Sequence, residues 1–539
     1  MTSTSNVTNT VEHLRSTHLL GSEFFGPGKV FTSLVLALML WRTWSRGLEM
    51  TFYELDEVHD VNIPYLGHAR AFFQDSNGLM AKARNQAHSK TRSHFNDTNE
   101  PVALTAFGIT FYIITQAKHS AEVYRNTETL SFEEFVQGLM RTNGSNEKVI
   151  QVMYSPLPVD KPGFPNPLGE SLGVLAQKMH IHQLNPGTNL MLLQKQGLMY
   201  IDHLLRLGTM QTVCKYATSR SATHIEVPLY KWCGDYFVRL GQHVYFGEAL
   251  AEIDPLLPNF FLDFDERSWK MLYQYPDFLS RDMTTPRTRV ISTLTRYFQI
   301  PKHLRSDGAA WLINAMEEEM RALGVDDENL AILMLHLYFA INTNTRKSAF
   351  WVLTYLLHNP TLLKAYREET EAAFRDGELV DPSYIQDPIK CPQVDRIWHE
   401  TLRLASWSAS IRRITQDTTI GGKVMLTGNS VLVPHRLLHF DATVFGEDPH
   451  SFVPDRWLKE NLGRSTSWRP FGAGKTTCSG RFLARFEVTT FVAILLRRFD
   501  VEMVGSPRFP VADVGRPVLG IMSIRKGHDF RVRFSERKY

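Results

Sequence analysis

Phe471-Gly-Ala-Gly-Lys-Thr-Thr-Cys-Ser-Gly480 runs directly into the helical pattern Arg481-Phe-Leu-Ala-Arg-Phe-Glu-Val488. The stretch presents one thiol, Cys478, on a glycine-bearing loop at the start of a helix. A helix N-terminus carries partial positive charge and free N–H groups, which favour thiolate over thiol. Gly474 lets the backbone turn tightly, Gly480 removes a side chain where the helix must approach closely, and Phe471 can shield the sulfur. The plainer alternative is a buried structural cysteine.

Outward from this loop, composition sets the bounds. At 539 residues the chain exceeds the usual size of one core, yet single large catalytic domains of this length exist. A hydrophobic content of 43% allows a large core, and a net charge of +3 is too small to suggest nucleic acid. The 4 cysteines, Cys214, Cys233, Cys391 and Cys478, show no disulfide framework or zinc spacing, which fits a reducing compartment. Val30 to Trp41 is an apolar run flanked by Lys29 and Arg42, shorter than the roughly 20 residues of a spanning helix. It starts late and no small-residue cleavage site follows, which disfavours a signal peptide. The expected organisation is an N-terminal segment at 1–28, a candidate membrane anchor at 29–46 oriented N-out and C-in, a linker at 47–63 and a globular domain at 64–539. A buried or interfacial helix is the alternative for the anchor. Asn6 in Asn6-Val7-Thr8 accepts a glycan only with a lumenal N-terminus.

Residues 102–116 predict two short strands, and 154–175, with five prolines from Pro156 to Pro167, a long loop. The middle of the chain is mostly helical by pattern, and 500–535 reads as short strands and turns. Asp327 to His358 predicts one long helix, capped by Asp326 or Asp327 and ended by Asn359-Pro360. It is apolar nearly all round from Leu330 to Ile341, so it should cross a core. Its polar insert, Ala340-Ile-Asn-Thr-Asn-Thr345, is costly there unless satisfied, for instance by bonds back to the helix backbone. Pro392 to Leu404 predicts a further helix carrying Glu400 and Arg403 on one face, and Phe452-Val-Pro-Asp-Arg-Trp457 follows it.

Taken in order, these features resemble the cytochrome P450 family, whose signature Phe-x-x-Gly-x-x-x-Cys-x-Gly the opening stretch matches; the resemblance covers roughly residues 60–535. It implies a mainly α fold with small β-sheets, holding haem (heme b) between the long central helix and the cysteine loop. By the same resemblance Cys478 is the axial thiolate, which pushes electron density onto the iron. Phe471, Gly472 and Gly480 border the haem, and Arg412 meets a propionate, with Arg413 as the adjacent competitor. Thr345 and Asn344 handle dioxygen and protons, while Glu400, Arg403 and Arg456 form a buried network that locks the loop beneath the haem. Two positions depart from the family pattern. Asn342 replaces the usual glycine and Asn344 the usual acid, as in the branch with bile-acid-pathway sterol hydroxylases and prostacyclin synthase. Thr476 stands where a basic residue is common.

The implied activity is monooxygenation of an apolar substrate of terpenoid or sterol type, in fungal-type secondary metabolism. Electrons come from an NADPH-dependent cytochrome P450 reductase, since no flavin fingerprint is present. Lys475, Arg481 and Arg485 could form its docking patch. Substrate contacts are expected from 154–185, Phe339 to Ile341, Trp407 to Ser410 and Val518 to Ile521. The implied location is the endoplasmic reticulum membrane, with a cytosolic catalytic domain. Two other readings are a reductase-independent isomerase or dehydratase of the prostacyclin synthase type, and a non-catalytic haem carrier or sensor.

Overall fold

The computed structural model describes residues 68–89, 100–106, 109–459, 461–515, 518 and 520–537. The expectations for residues 1–63, the anchor included, lie outside these. Among the described residues no helix is long and apolar enough to cross a membrane.

Among the described residues helices dominate, and four small sheets frame them. The strands are β1 (Val102–Ala106), β2 (Ile109–Ile113), β3 (Leu130–Ser131), β4 (Ser219–Ser221), β5 (His224–Pro228), β6 (Phe374–Arg375), β7 (Glu378–Leu379), β8 (Ala409–Ile414), β9 (Thr418–Ile420), β10 (Lys423–Met425), β11 (Ser430–Pro434), β12 (Phe499–Met503) and β13 (Arg531–Glu536). The largest sheet has the order β1-β2-β11-β8-β3; only the β2–β11 pairing is parallel. A second, antiparallel sheet runs β12-β13-β5-β4, and two hairpins, β6–β7 and β9–β10, complete the set. The expected strand pair within 102–116 is present, with Val102 opposite Ile113.

The helices that position the cavity are α1 (Leu172–Leu184), α2 (Thr188–Leu204), α3 (Leu229–Phe246), α4 (Leu257–Asp265), α5 (Arg281–Gln299), α6 (Asp327–Thr343), α7 (Thr345–Leu357), α8 (Pro392–Ala405) and α9 (Arg481–Arg498). Asp326 caps α6, its carboxylate accepting from Asn329 N at 2.9 Å. From Leu330 to Leu335 every residue of α6 is buried, so the helix runs through the core as its composition requires. It packs on α5, and α7 packs on α3, α8 and α9.

The central helix is not continuous, contrary to the sequence expectation. It breaks at Asn344, between α6 and α7. The polar insert supplies the reason. The Asn342 amide donates to Tyr338 O at 2.9 Å, back onto its own helix. Asn344 instead turns its side chain outward, and its Oδ1 accepts from Ile521 N at 2.9 Å. Beyond the break, Arg346 and Lys347 are buried and both hold Asp265 at the end of α4, Lys347 at 2.9 Å. The partners of the two half-helices therefore differ. The expected 154–175 loop runs only to Ser171, where α1 begins.

Candidate active site

A cavity of about 370 Å³ lies between the α6–α7 break and the cysteine loop. The loop folds as a short 3-10 turn, Gly474–Thr476, with Cys478 N donating to Phe471 O at 2.9 Å. Gly472 (φ 75°) and Gly474 (φ 63°) both take left-handed conformations that favour glycine, so the tight turn is real. At Gly480 a Cβ would stand 3.8 Å from Cys478 Sγ, an ordinary contact, so no protein neighbour among the described residues demands glycine there.

Cys478 is open to this cavity, while Cys214, Cys233 and Cys391 are buried and away from it. Deep placement pushes the Cys478 thiol up. The backbone N–H groups of Gly480 and Arg481, with the Arg481 guanidinium, pull it down but do not prevail. The helix end thus favours the thiolate, as the sequence reading held, against the opposing effect of burial; a bound cation would add to it, because a coordinating thiol is deprotonated outright.

Phe471, Gly472, Gly480, Asn344, Thr345 and Arg412 line the same cavity. Arg412 is 7% exposed and has no carboxylate partner among the described residues. It donates to Ile411 O at 2.7 Å and to Thr476 Oγ1 at 2.6 Å. Burial lowers its pKa, as expected for a guanidinium without a counter-ion. Arg413, the competitor, donates to Ser430 Oγ at 3.4 Å and does not reach the cavity. An unmatched buried cation at one edge and an open thiol on the floor suit a flat, metal-bearing, anionic group. The residues present fit a haem, whose carboxylates would meet Arg412.

Glu400, Arg403 and Arg456 stand off the cavity and in contact with one another. Glu400 and Arg403 are both fully buried and pair twice, at 2.8 and 2.9 Å. Glu400 also accepts from Val453 N at 3.0 Å, Arg456 Nε at 3.4 Å and Trp457 Nε1 at 2.9 Å. Arg403 donates to the carbonyls of His439, Pro449 and Ser451, so α8 grips the chain that precedes the cysteine loop. The expected docking patch is only partly available: Arg485 is taken up by Asp395 at 3.0 Å and by Gln386 O at 2.8 Å.

The expected substrate contacts narrow. His180 and Leu184 of α1, Ala340 and Ile341, Ser408 to Ser410, and Gly520 with Ile521 reach the cavity; Phe339 and Trp407 do not. Sequence reasoning missed His435. Its Nδ1 lies 3.0 Å from Ser408 Oγ and its Nε2 lies 2.7 Å from Tyr124 Oη. Burial, with the nearby Arg469 and Arg412 charges, pushes its pKa down to about 3, so the ring is neutral. Period-two alternation along β8, which puts Ser410 and Arg412 on one face, was the available signal for this polar edge. Glu487 was missed as well: it lines the cavity from α9, has no hydrogen-bond or ion-pair partner among the described residues, and burial pushes its pKa up to about 8.

A family model for cytochrome P450 matches residues 205–525. This chain belongs to the cytochrome P450 family, whose members hold haem iron through a cysteine thiolate. It is 28% identical over 283 residues to cytochrome P450 monooxygenase poxD of Penicillium oxalicum, covering 49% of this chain and 56% of that protein. It is 32% identical over 202 residues to beta-amyrin 11-oxidase of Glycyrrhiza uralensis, covering 37% and 40%. Against human 7-alpha-hydroxycholest-4-en-3-one 12-alpha-hydroxylase it is 28% identical over 245 residues, covering 42% and 48%. The chain spans about half the length of the curated relatives it matches.

Proposed function

We propose that the chain is a haem-dependent monooxygenase that oxidises an apolar substrate of terpenoid or sterol type. The observation that carries this reading is the meeting of Cys478, the unmatched Arg412 and Thr345 on one cavity. Haem, when bound, supplies the activation of O2 through which one oxygen atom enters an unactivated C–H bond. Cys478 Sγ would hold the iron. Arg412 would pair with a haem carboxylate and orient the group, and Thr476, which accepts from Arg412, steadies it in place of the basic residue common there. Thr345 Oγ1, which has no hydrogen-bond partner among the described residues, would accept and donate a proton across the cavity from Cys478. Asn344 cannot shuttle protons as a carboxylate does, because an amide does not titrate near neutral pH.

Relatives at low identity are named as an 11-oxidase of beta-amyrin and a 12-alpha-hydroxylase of 7-alpha-hydroxycholest-4-en-3-one, which supports the substrate class. Electrons come from an NADPH-dependent reductase that docks near Lys475 and Arg481. The segment 29–46 anchors the chain in the endoplasmic reticulum membrane, with residues 64–539 cytosolic. The test is turnover of a hydrophobic substrate library with O2, NADPH and reductase, scored as products heavier by one oxygen atom.

A second reading, a reductase-independent isomerase or dehydratase, draws on one observation: the residue beside Thr345 is an amide committed to Ile521, with no acid in its place. Product formation without NADPH would favour it.

A further inference from the structure

We propose that Asn344 is a hydrogen-bond donor to whatever occupies the cavity, and that the substrate is therefore an apolar molecule carrying a carbonyl or hydroxyl oxygen that docks against the α6–α7 break. This rests on the cavity being the substrate chamber of a haem enzyme, as proposed above.

The amide orientation is fixed by chemistry. A backbone N–H can bond only the oxygen of an amide, and Ile521 N donates to Asn344 Oδ1 at 2.9 Å. The NH2 end is thereby aimed elsewhere. Nδ2 has no partner among the described residues and is not sealed off by neighbouring atoms, and Asn344 lines the cavity. The neighbouring lining is largely apolar, with Leu337, Ala340, Ile341 and Ile521, beside the Thr345 and Ser348 hydroxyls.

Gly520 makes this arrangement rigid. A Cβ at residue 520 would fall 1.9 Å from Asn344 Oδ1 and 2.9 Å from its Nδ2, so the amide fills the place of a side chain. The segment is anchored on its far side. Gly520 O accepts from Trp407 N at 2.8 Å, Met522 N donates to Ala405 O at 2.9 Å, and Met522 O accepts from Trp351 Nε1 at 2.9 Å. The donor cannot swing away without breaking this stitching. A hydrocarbon at this wall would leave the amide hydrogens unmatched, whereas an oxygen acceptor satisfies them; sites with buried polar groups discriminate on this basis. An ionised acid at 344 would offer acceptors only, reversing the preference.

The test is optical titration of the haem-loaded full chain with a matched pair of rigid probes, adamantane and 2-adamantanone. In Asn344→Asp and in Gly520→Ala the ratio of ketone to hydrocarbon affinity should fall roughly fivefold from wild type, the scale of one neutral hydrogen bond. Gly520→Ala keeps the amide but displaces it, so a shared loss identifies placement of the donor as the cause. An unchanged ratio in both variants, equal loss for both probes, or no binding of the ketone to wild type would overturn the proposal. Absence of the thiolate carbon monoxide band in wild type would instead overturn the haem-enzyme reading.

Discussion

Thr345 opens α7 and lines the cavity with its hydroxyl uncommitted among the described residues, beside an amide committed to another strand of chain. On the proposed reading, this hydroxyl would be the proton-handling group of the cavity. Thr345→Ala should leave NADPH consumption running while product per NADPH falls on the order of tenfold or more and peroxide rises. An unchanged ratio would mean that this pair does not manage protons, and the isomerase reading would gain. Glu487 makes a separate prediction. Burial holds its carboxyl protonated up to about pH 8 in the folded chain, whereas an unfolded glutamate ionises near pH 4.5. The folded state then binds more protons than the unfolded one between those values, so stability falls as pH rises through that window. Glu487→Gln should flatten this slope and raise the melting temperature at pH 8, an effect on the order of a few kcal/mol. Equal slopes in both proteins would show that Glu487 is ionised within the fold. Cys478 and Thr345 were legible in the sequence because a fixed pattern of glycines, or a polar residue within an apolar helix, marks them. Glu487 and His435 were not: burial and an empty contact list are properties of the packing.

The contacts of α8 decide whether the cysteine loop has a floor. Glu400 meets two guanidinium groups, an indole N–H and a backbone N–H, in full burial. Removing its carboxylate strands Arg403, at a cost of about 3–5 kcal/mol typical of a broken buried pair. Glu400→Ala should accordingly yield little folded haem-loaded protein, measured as haem per polypeptide after expression. A well-folded variant with full haem content would show the pair to be dispensable. The helix itself was legible from Pro392 and its apolar face, and so was the Glu–Arg spacing. Trp457 was not singled out, since nothing in the sequence says which way an indole donor points. The single long helix from Asp327 to His358 was the main misreading. Periodicity carries straight across Asn344, and the break follows from a partner, Ile521, far along the chain. Local sequence does not record such a competitor.

At the scale of the whole chain, helices set between small sheets enclose a cavity that joins Cys478, Arg412 and Thr345, and that is the P450 architecture. The helix-rich class was legible because apolar patterning at helical spacing fills most of the chain, with the polar edge around Arg412 arising only when β8, β11 and the cysteine loop come together. The proposed membrane attachment belongs to this scale as well. Deleting residues 1–46 should move the protein from the membrane pellet toward the soluble fraction while haem binding persists, because the removed stretch holds none of the haem motifs. Unchanged pelleting in high salt would place the attachment elsewhere. The account stands or falls on Cys478 as the iron ligand, and one spectrum addresses it most directly. The reduced, carbon monoxide-treated wild type should show the strongly red-shifted Soret band of thiolate ligation, and Cys478→Ser should lose it, since a hydroxyl is a poor iron ligand at neutral pH. A wild type without that band, or a serine variant that keeps it, would contradict the account.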